Sequence, residues 1–600
     1  MKSMLITLSA IAFFGWCVSP VQADVSVTYT IDTKQDISPI SPYIYGYNFD
    51  HVTAQNLTIR RMGGNRLTGY SWETNFSNAG SDWQHSSDEY LSSYIPSAQR
   101  QTPAKVITDF VDANLAAGRA SLITLQMAGY VTADKNGTVT ESQAAPSTRW
   151  KEVVYQKATP FCSPAGSPDK TDNAVYMDEL VNYLVTRYGS ASSTSGVRFY
   201  ALDNEPALWS STHPRIHLLK PTCVDLLNKS IALASAVKDV DPDAHICGPV
   251  LYGFSAFNTF QDAADWSTVK SGHSYSWFID YYLDTMKQAS TAQNRRLLDV
   301  LDLHWYPEAQ GDGSRICDTQ PPYSQANAEA RMQAPRTLWD QGYYENSWIG
   351  TWFKWALPLL PKITQSINTY YPGTKLAFTE YNYGAGDHIS GGIATADVLG
   401  IYGKYGVYLS TYWGSNKPYV NSAFSLFRNY DGANSAFGDT RVRAALTDKV
   451  NSSIFGSTFL ADRNKLHLIV LNKHYTQSIN GSFAITAPQF FTSARVWAFD
   501  SASSAITERA PVSAITGNTF SYTIPPLTAC HFVIQSDRPV GDISGNCEVG
   551  IEDLDLFAEQ WLYPSGCSGI DCGDFNNDTE INLLDMAILA QNWMVGVTCQ

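Results

Sequence analysis

Short apolar runs recur along most of this chain, each followed by a longer stretch whose apolar positions repeat at helical spacing. Eight of these runs read as strands: 43–47, 57–62, 121–127, 197–202, 245–250, 300–304, 376–379 and 407–412. Between them lie segments such as AVYMDELVNYLVTRYG, where Val175, Leu180, Leu184 and Tyr188 recur on one helical face. Eight alternating β and α units predict an α/β fold, a TIM-like (β/α)8 barrel rather than a doubly wound sheet, over residues 41–449. From 450 to 535 the pattern is β only. KLHLIVLNKH, ARVWAFD and TFSYTIPPL are short, β-rich and separated by polar turns, which predicts an accompanying β-sandwich domain. Residues 24–40, opening with DVSVTYTID, alternate in the same style and predict a strand joining that sandwich.

The last segment, 541–600, contains a duplication. DISGNCEVGIEDLDLFAEQWL from Asp542 aligns with DFNNDTEINLLDMAILAQNWM from Asp574 at a constant offset of 32 residues. Each copy places oxygen-bearing side chains at loop positions 1, 3, 5 and 12: Asp542, Ser544, Asn546 and Asp553, then Asp574, Asn576, Asp578 and Asp585. Such spacing wraps a loop around Ca2+, a hard cation that takes several oxygen ligands. Each loop runs into a helix ending at a tryptophan, Trp561 or Trp593, so the tail is expected to be a small α-helical module with two Ca2+ loops.

Residues 1–23 read as an export signal: Lys2, an apolar stretch from Met4 to Val18, Pro20, then Val21-Gln22-Ala23 with cleavage after Ala23. The mature protein is therefore expected outside the cell. No later stretch is long and apolar enough to span a membrane. A formal charge of −15 provides no basic face for phosphates, so no nucleic-acid partner is expected. Four cysteines fall between 547 and 599, where an oxidising compartment allows two disulfides whose pairing the sequence does not give.

The chemistry gathers at the strand ends. In YALDNEPALW, Asp203, Asn204 and Glu205 follow directly on the fourth apolar run, and a barrel presents its active site at the carboxyl ends of its strands. In LAFTEYNYG, Glu380 ends the seventh. Strands four and seven can aim both carboxyls into one bowl. Two carboxyls flanking one bond are what glycoside hydrolysis requires, one protonated to release the leaving sugar and one ionised to attack the anomeric carbon. Asn204 is placed to donate to the sugar 2-hydroxyl. RRMGGNRLTGYSWE adds paired glycines for close backbone approach to a ligand, with Asn65, Arg66 and Trp72 as polar and stacking groups. HWYPE contributes His304 and Tyr306, and TYWG contributes Trp413. Tyr306 and Tyr381 either orient the nucleophile or pack at the rim. Trp83, Trp209 and Trp413 either stack on sugar rings or fill the core, while Arg61 is a candidate partner for a barrel acid. The segment 129–166 is expected to lie over the rim.

SPYIYGYNF, RMGGNRLTGYSWETNFSNAGSDW, VYMDELVNYLV, ALDNEPALW, LDLHWYP and FTEYNYG, in this order, resemble glycoside hydrolase family 44 over roughly residues 25–535. The resemblance implies a retaining endo-β-1,4-glucanase, in many members active on xyloglucan, with a β-glucan polysaccharide as partner. It implies Glu205 as acid/base and Glu380 as nucleophile. The tail resembles a type I dockerin, which implies a cohesin-bearing scaffold protein as a possible partner. It departs from that pattern at Cys547 and Thr579, where a loop glycine is common. Partner-reading positions 10 and 11 hold Ile551-Glu552 and Leu583-Leu584. The rival readings are another barrel glycosidase (xylanase, mannanase or arabinofuranosidase) and a non-catalytic carbohydrate-binding protein; retention of both glutamates weighs against the second.

Overall fold

A computed structural model describes residues 24–48, 56–460, 462–487, 489–536, 539–561, 572–575 and 580–596. The export signal expected over 1–23 lies outside them. All eight predicted runs are strands of one closed parallel barrel: Gly46–Asn48, Ile59–Met62, Ala120–Leu125, Phe199–Leu202, His245–Leu251, Val300–Trp305, Lys375–Tyr381 and Leu409–Tyr412. Helices cover the outside and side chains fill the inside, so the strands read as near-continuous apolar runs; Val300–Trp305 is buried at every position. The first strand starts later than expected. Pro42 lacks an N–H for a ladder, and residues Pro42–Ile44 form a 3-10 turn capped by the Ser41 hydroxyl. At Gly46 a Cβ would lie 2.4 Å from the Ser410 carbonyl, so only glycine lets the first and last strands close the barrel.

Helix Met177–Tyr188 buries Leu180, Leu184 and Tyr188 on one face as expected, but Val175 belongs to a short strand, Ala174–Tyr176. That strand pairs with Trp150–Val154, which in turn pairs with Tyr130–Thr132. These strands follow the third barrel strand. A second small sheet joins Ser77–Asn78 and Ser86–Asp88, after the second barrel strand, to Gly137–Thr138. The two excursions thus interlock.

The β domain begins at Thr440 rather than 450, because TRVRAAL alternates buried and outward positions and forms strand Thr440–Leu446. Its strands make one continuous ten-stranded sheet rather than two separate ones. Val25–Asp32 sits inside that sheet, antiparallel to Thr440–Leu446 and parallel to Ile479–Thr486. Strands from both ends of the sheet share one core, in which Tyr29, Phe483, Phe520 and Phe532 are buried together. The sheet's other side packs on the barrel, with Phe455, Ile469, Leu471 and Phe499 continuing the barrel's own outer core. Between them runs helix Ile389–Tyr405, buried from Ile389 to Gly403. Lys473 of the sheet meets Asp397 of that helix at 3.3 Å, both fully buried. Removing either partner leaves a buried charge unpaired, at about 3–5 kcal/mol.

In the tail, helices Ile551–Gln560 and Leu583–Gln591 enclose Ile543, Val549, Phe557, Ile581 and Leu589. Cys547 and Cys572 each take part in a disulfide.

Candidate active site

The turn after the fourth barrel strand explains the polar triplet. Asp203 and Glu205 both take positive φ, 63° and 44°, which costs energy for a residue with a Cβ. The fully buried Asp203 carboxylate holds the turn by accepting from Thr68 Oγ1 (2.6 Å) and from the backbone N–H groups of Ala128 (2.9 Å) and Asn204 (2.8 Å). The Glu205 N–H donates to the Val250 carbonyl of the next strand at 3.1 Å. Pro206 then opens a short helical turn. The strain is held by bonds on both sides, and it directs the Glu205 side chain across the barrel mouth.

Glu380 meets it from the seventh strand. Arg61, fully buried on the second strand, donates to Glu380 Oε1 at 2.8 Å, to Asn48 Oδ1 at 3.1 Å and to Asn204 Oδ1 at 2.7 Å. Tyr306 donates its hydroxyl to Glu380 Oε2 at 2.7 Å. His304 Nδ1 lies 2.8 Å from Glu205 Oε1 and 3.5 Å from Glu380 Oε2. Glu205, Glu380 and His304 each contribute a polar atom to one cluster, all within 4.8 Å of one another.

The two carboxyls have different surroundings. Burial pushes the Glu205 carboxyl up to about 7, against the opposing pull of Arg61 and with help from the negative Asp82. Glu380 instead has a guanidinium and a phenol hydroxyl bonded directly to its two oxygens. Burial lowers His304 to about 3, so at neutral pH its ring carries no charge. Burial also holds the Tyr306 hydroxyl well above its usual range, keeping it a donor. The arrangement presents two carboxyls across a narrow gap, one pushed toward its protonated form by burial and one held by a guanidinium and a phenol hydroxyl.

Several predicted contacts are placed elsewhere. Trp72 is fully buried and donates Nε1 to the Tyr176 carbonyl at 3.2 Å. Tyr381 points away from the bowl and packs against Tyr402 and Tyr412 at 5.3 and 5.6 Å, because successive strand residues face opposite sides and Glu380 has the inward one. Arg66 is taken up by Asp88 at 2.6 Å, by Ser77 and by the Tyr90 ring. Trp209 is buried and donates to the Asn204 carbonyl at 3.2 Å, so it supports the acidic turn. Asn65 does reach the site, accepting from Asn204 Nδ2 at 3.2 Å and donating to Asp82. Trp83, beside Asp82, is 63% exposed, and Trp413 is half-buried. The paired glycines serve the protein itself. A Cβ on Gly63 would lie 2.2 Å from the Arg61 guanidinium carbon, and one on Gly64 2.5 Å from the Trp413 ring.

Sequence reasoning missed Asn48, which ends the first strand, faces inward and ties Arg61 to the Thr379 carbonyl. It also missed Asp302. That residue lies two positions before His304, the period that marks a shared strand face. Its carboxyl accepts from Thr379 Oγ1 at 2.6 Å, and burial pushes it up to about 7.

In the first tail loop, Asp542 accepts from the N–H groups of Gly545, Asn546 and Cys547. Asp553 accepts from those of Ser544 and Gly550. Carboxylates from positions 1 and 12 therefore face one loop, with Ser544 and Asn546 between them, an all-oxygen set that fits Ca2+. Asp585 repeats the Asp553 role by accepting from Phe575 and Asn582. Asp574 opens the second loop, while Asn576 and Asp578 lie outside the described residues.

A parallel eight-stranded barrel that brings two glutamates together at its mouth, in unlike surroundings, has the architecture of the barrel glycoside hydrolases. Comparison narrows this. The sequence profile of glycoside hydrolase family 44 matches residues 76–309. Endoglucanase A of Paenibacillus lautus is 51% identical over 552 residues, 89% of this chain and 77% of that protein. A family 44 xyloglucanase of Paenibacillus polymyxa, solved with xyloglucan, is 52% identical with a TM-score of 0.83, covering 85% of this chain and all of its own. A family 44 endoglucanase of Clostridium thermocellum is 54% identical with the same TM-score, covering 86% of this chain and all of its own. This chain belongs to glycoside hydrolase family 44 and is an endo-acting glycoside hydrolase.

Proposed function

We propose that the chain is a secreted, retaining endo-β-1,4-glucanase acting on xyloglucan and soluble cellulose derivatives, with Glu380 as nucleophile and Glu205 as acid/base. The supporting observation is the carboxyl pair itself. An oxygen of each lies within 4.8 Å of the other, close to the roughly 5–5.5 Å of retaining enzymes and short of the roughly 6.5–9.5 Å that an intervening water needs. Glu380 Oε1 and Oε2 are held by Arg61 and Tyr306. A carboxylate so fixed attacks the anomeric carbon while the protonated Glu205 donates to the leaving oxygen. Glu205, now ionised, then takes a proton from water as that water displaces Glu380. Asn204, held by Arg61 and Asn65, presents its amide toward the 2-hydroxyl of the sugar being cleaved. Trp83 and Trp413 provide stacking faces for neighbouring glucosyl units.

The tail is proposed to bind two Ca2+ ions and, through the exposed Ile551, Leu583 and Leu584, a cohesin-bearing scaffold. The participation of Cys547 and of Cys572 in disulfides supports an extracellular location. The deciding experiment compares reducing-sugar release from xyloglucan, carboxymethylcellulose, xylan and mannan by wild type, Glu205→Gln and Glu380→Gln, with NMR of the first anomer formed. A folded Glu380→Gln enzyme at the wild-type rate, or release of the inverted anomer, would sink the assignment.

A further inference from the structure

The donors at the barrel mouth have a second chemistry open to them. A first-row divalent ion sits about 2.0–2.2 Å from nitrogen and oxygen ligands, which places those ligands roughly 3–3.5 Å from one another. His304 Nδ1 already lies 2.8 Å from Glu205 Oε1 and 3.5 Å from Glu380 Oε2, and the three donors all fall within 4.8 Å. They are also held in place before any ion arrives. The His304 side chain is fully buried, Arg61 and Tyr306 fix Glu380, and the strained turn after the fourth strand fixes Glu205.

The histidine supplies an independent sign. Its Nε2 is buried with no hydrogen-bond partner among the described residues, and the ring meets the glutamate pair through Nδ1. Where Glu205 carries the proton, it donates to the Nδ1 lone pair, and the ring's own hydrogen stays on Nε2. That lone pair is aimed where an ion would sit. With both glutamates ionised and Arg61 beside them, the cluster carries a net single negative charge, which a divalent cation reverses.

We propose that Glu205, Glu380 and His304 form a binding site for a borderline divalent cation of the Zn2+ class, which shuts polysaccharide out of the cleft while bound. One imidazole nitrogen and two carboxylate oxygens suit Zn2+ or Co2+. Ca2+ and Mg2+ prefer six or more oxygens, so tail calcium and this site do not compete. Binding exchanges one ion for the proton of Glu205, which leaves to solvent. Because Nε2 lacks the hydrogen-bond partner that usually strengthens a ligating histidine, the ion is held reversibly.

Ion binding depends only on the three donors, whereas exclusion of substrate rests on the catalytic placement proposed above. The test uses the full chain saturated with Ca2+. Co2+ is added and its visible absorption followed, with Zn2+ then displacing it. Wild type is expected to show one Co2+ site whose affinity falls at least about tenfold in Glu205→Gln, Glu380→Gln and His304→Gln, each checked by circular dichroism. Zn2+ is expected to raise KM for xyloglucan with kcat unchanged, reversibly with chelator, while millimolar Mg2+ has no effect. Absence of the Co2+ bands, or bands unchanged in all three variants, overturns the site. Bands lost in the variants without any rise in KM keep the ion site and instead refute the catalytic placement.

Discussion

The protonation of Glu205 gives the reading its sharpest exposure to experiment. An ordinary glutamate titrates near 4.5, whereas burial pushes this one up to about 7. At pH 6 a carboxyl with the ordinary value is only about 3% protonated, and one at about 7 is about 90% protonated. The competent acid is thus enriched about 30-fold. The kcat/KM for xyloglucan is therefore expected to hold up to near pH 7 and then fall about tenfold per pH unit, because the acid form disappears above its own pKa. Asp82 is a negative neighbour that helps keep the proton on, so Asp82→Asn should move this alkaline limb to lower pH. In Glu205→Gln, an aryl cellobioside with a good leaving group needs no acid for its first step. That step should keep most of its rate and lose the alkaline limb, while xyloglucan hydrolysis collapses. A wild-type limb centred near pH 5, or one that survives unchanged in the Glu205→Gln variant, refutes the argument.

Three other outcomes follow from the geometry. Tyr306→Phe removes a hydrogen bond to the carboxylate proposed as nucleophile, a bond class worth about 1.5–3 kcal/mol, so kcat/KM on xyloglucan should drop about 10- to 150-fold with the melting temperature little changed. Trp72→Ala should destabilise the protein by about 3–5 kcal/mol in denaturant titration. Trp83→Ala, at an exposed position, should stay within about 0.5 kcal/mol and instead raise KM for polysaccharide. Chelator should lower the unfolding temperature of residues 541–600, read by near-ultraviolet dichroism of Trp561 and Trp593, and leave the initial rate on xyloglucan intact, since the all-oxygen loops belong to the tail.

The barrel was legible because a strand covered on both faces must be apolar at nearly every position, and eight such runs separated by helical stretches admit few arrangements. Their far ends were less legible. Ser41 and Pro42 turned a predicted strand start into a capped turn, and the alternation in TRVRAAL put the domain boundary ten residues early. At the site, either glutamate alone reads as a salt-bridged or capping residue; the two stood out together because strands four and seven can aim both into one bowl whose other strand ends are also polar and aromatic. Aromatic residues did not sort themselves in the same way. Trp72 and Trp83 look alike in sequence, and only the packing separates a buried indole from an exposed one. Adjacent residues such as Glu380 and Tyr381 look equally near the chemistry until the strand's two faces are assigned. Arg61 was noticed as a possible partner for an acid, but its three-way hold on Glu380, Asn48 and Asn204 depends on strands one, two, four and seven meeting, which no local pattern encodes.

Strand Val25–Asp32 has a consequence for how the molecule is made. It is among the first segments to be synthesised, yet Thr28 finds its partner Thr447 419 residues later. Until then both of its edges stay open, and the contact order of the sheet is high, which slows folding. Cutting the strand away leaves Thr440–Leu446 and Ile479–Thr486 facing each other across a slot one strand wide. The shortened protein then becomes a receptor for its own missing segment, with one slot wall asking for an antiparallel guest and the other for a parallel one, so a single peptide orientation fits.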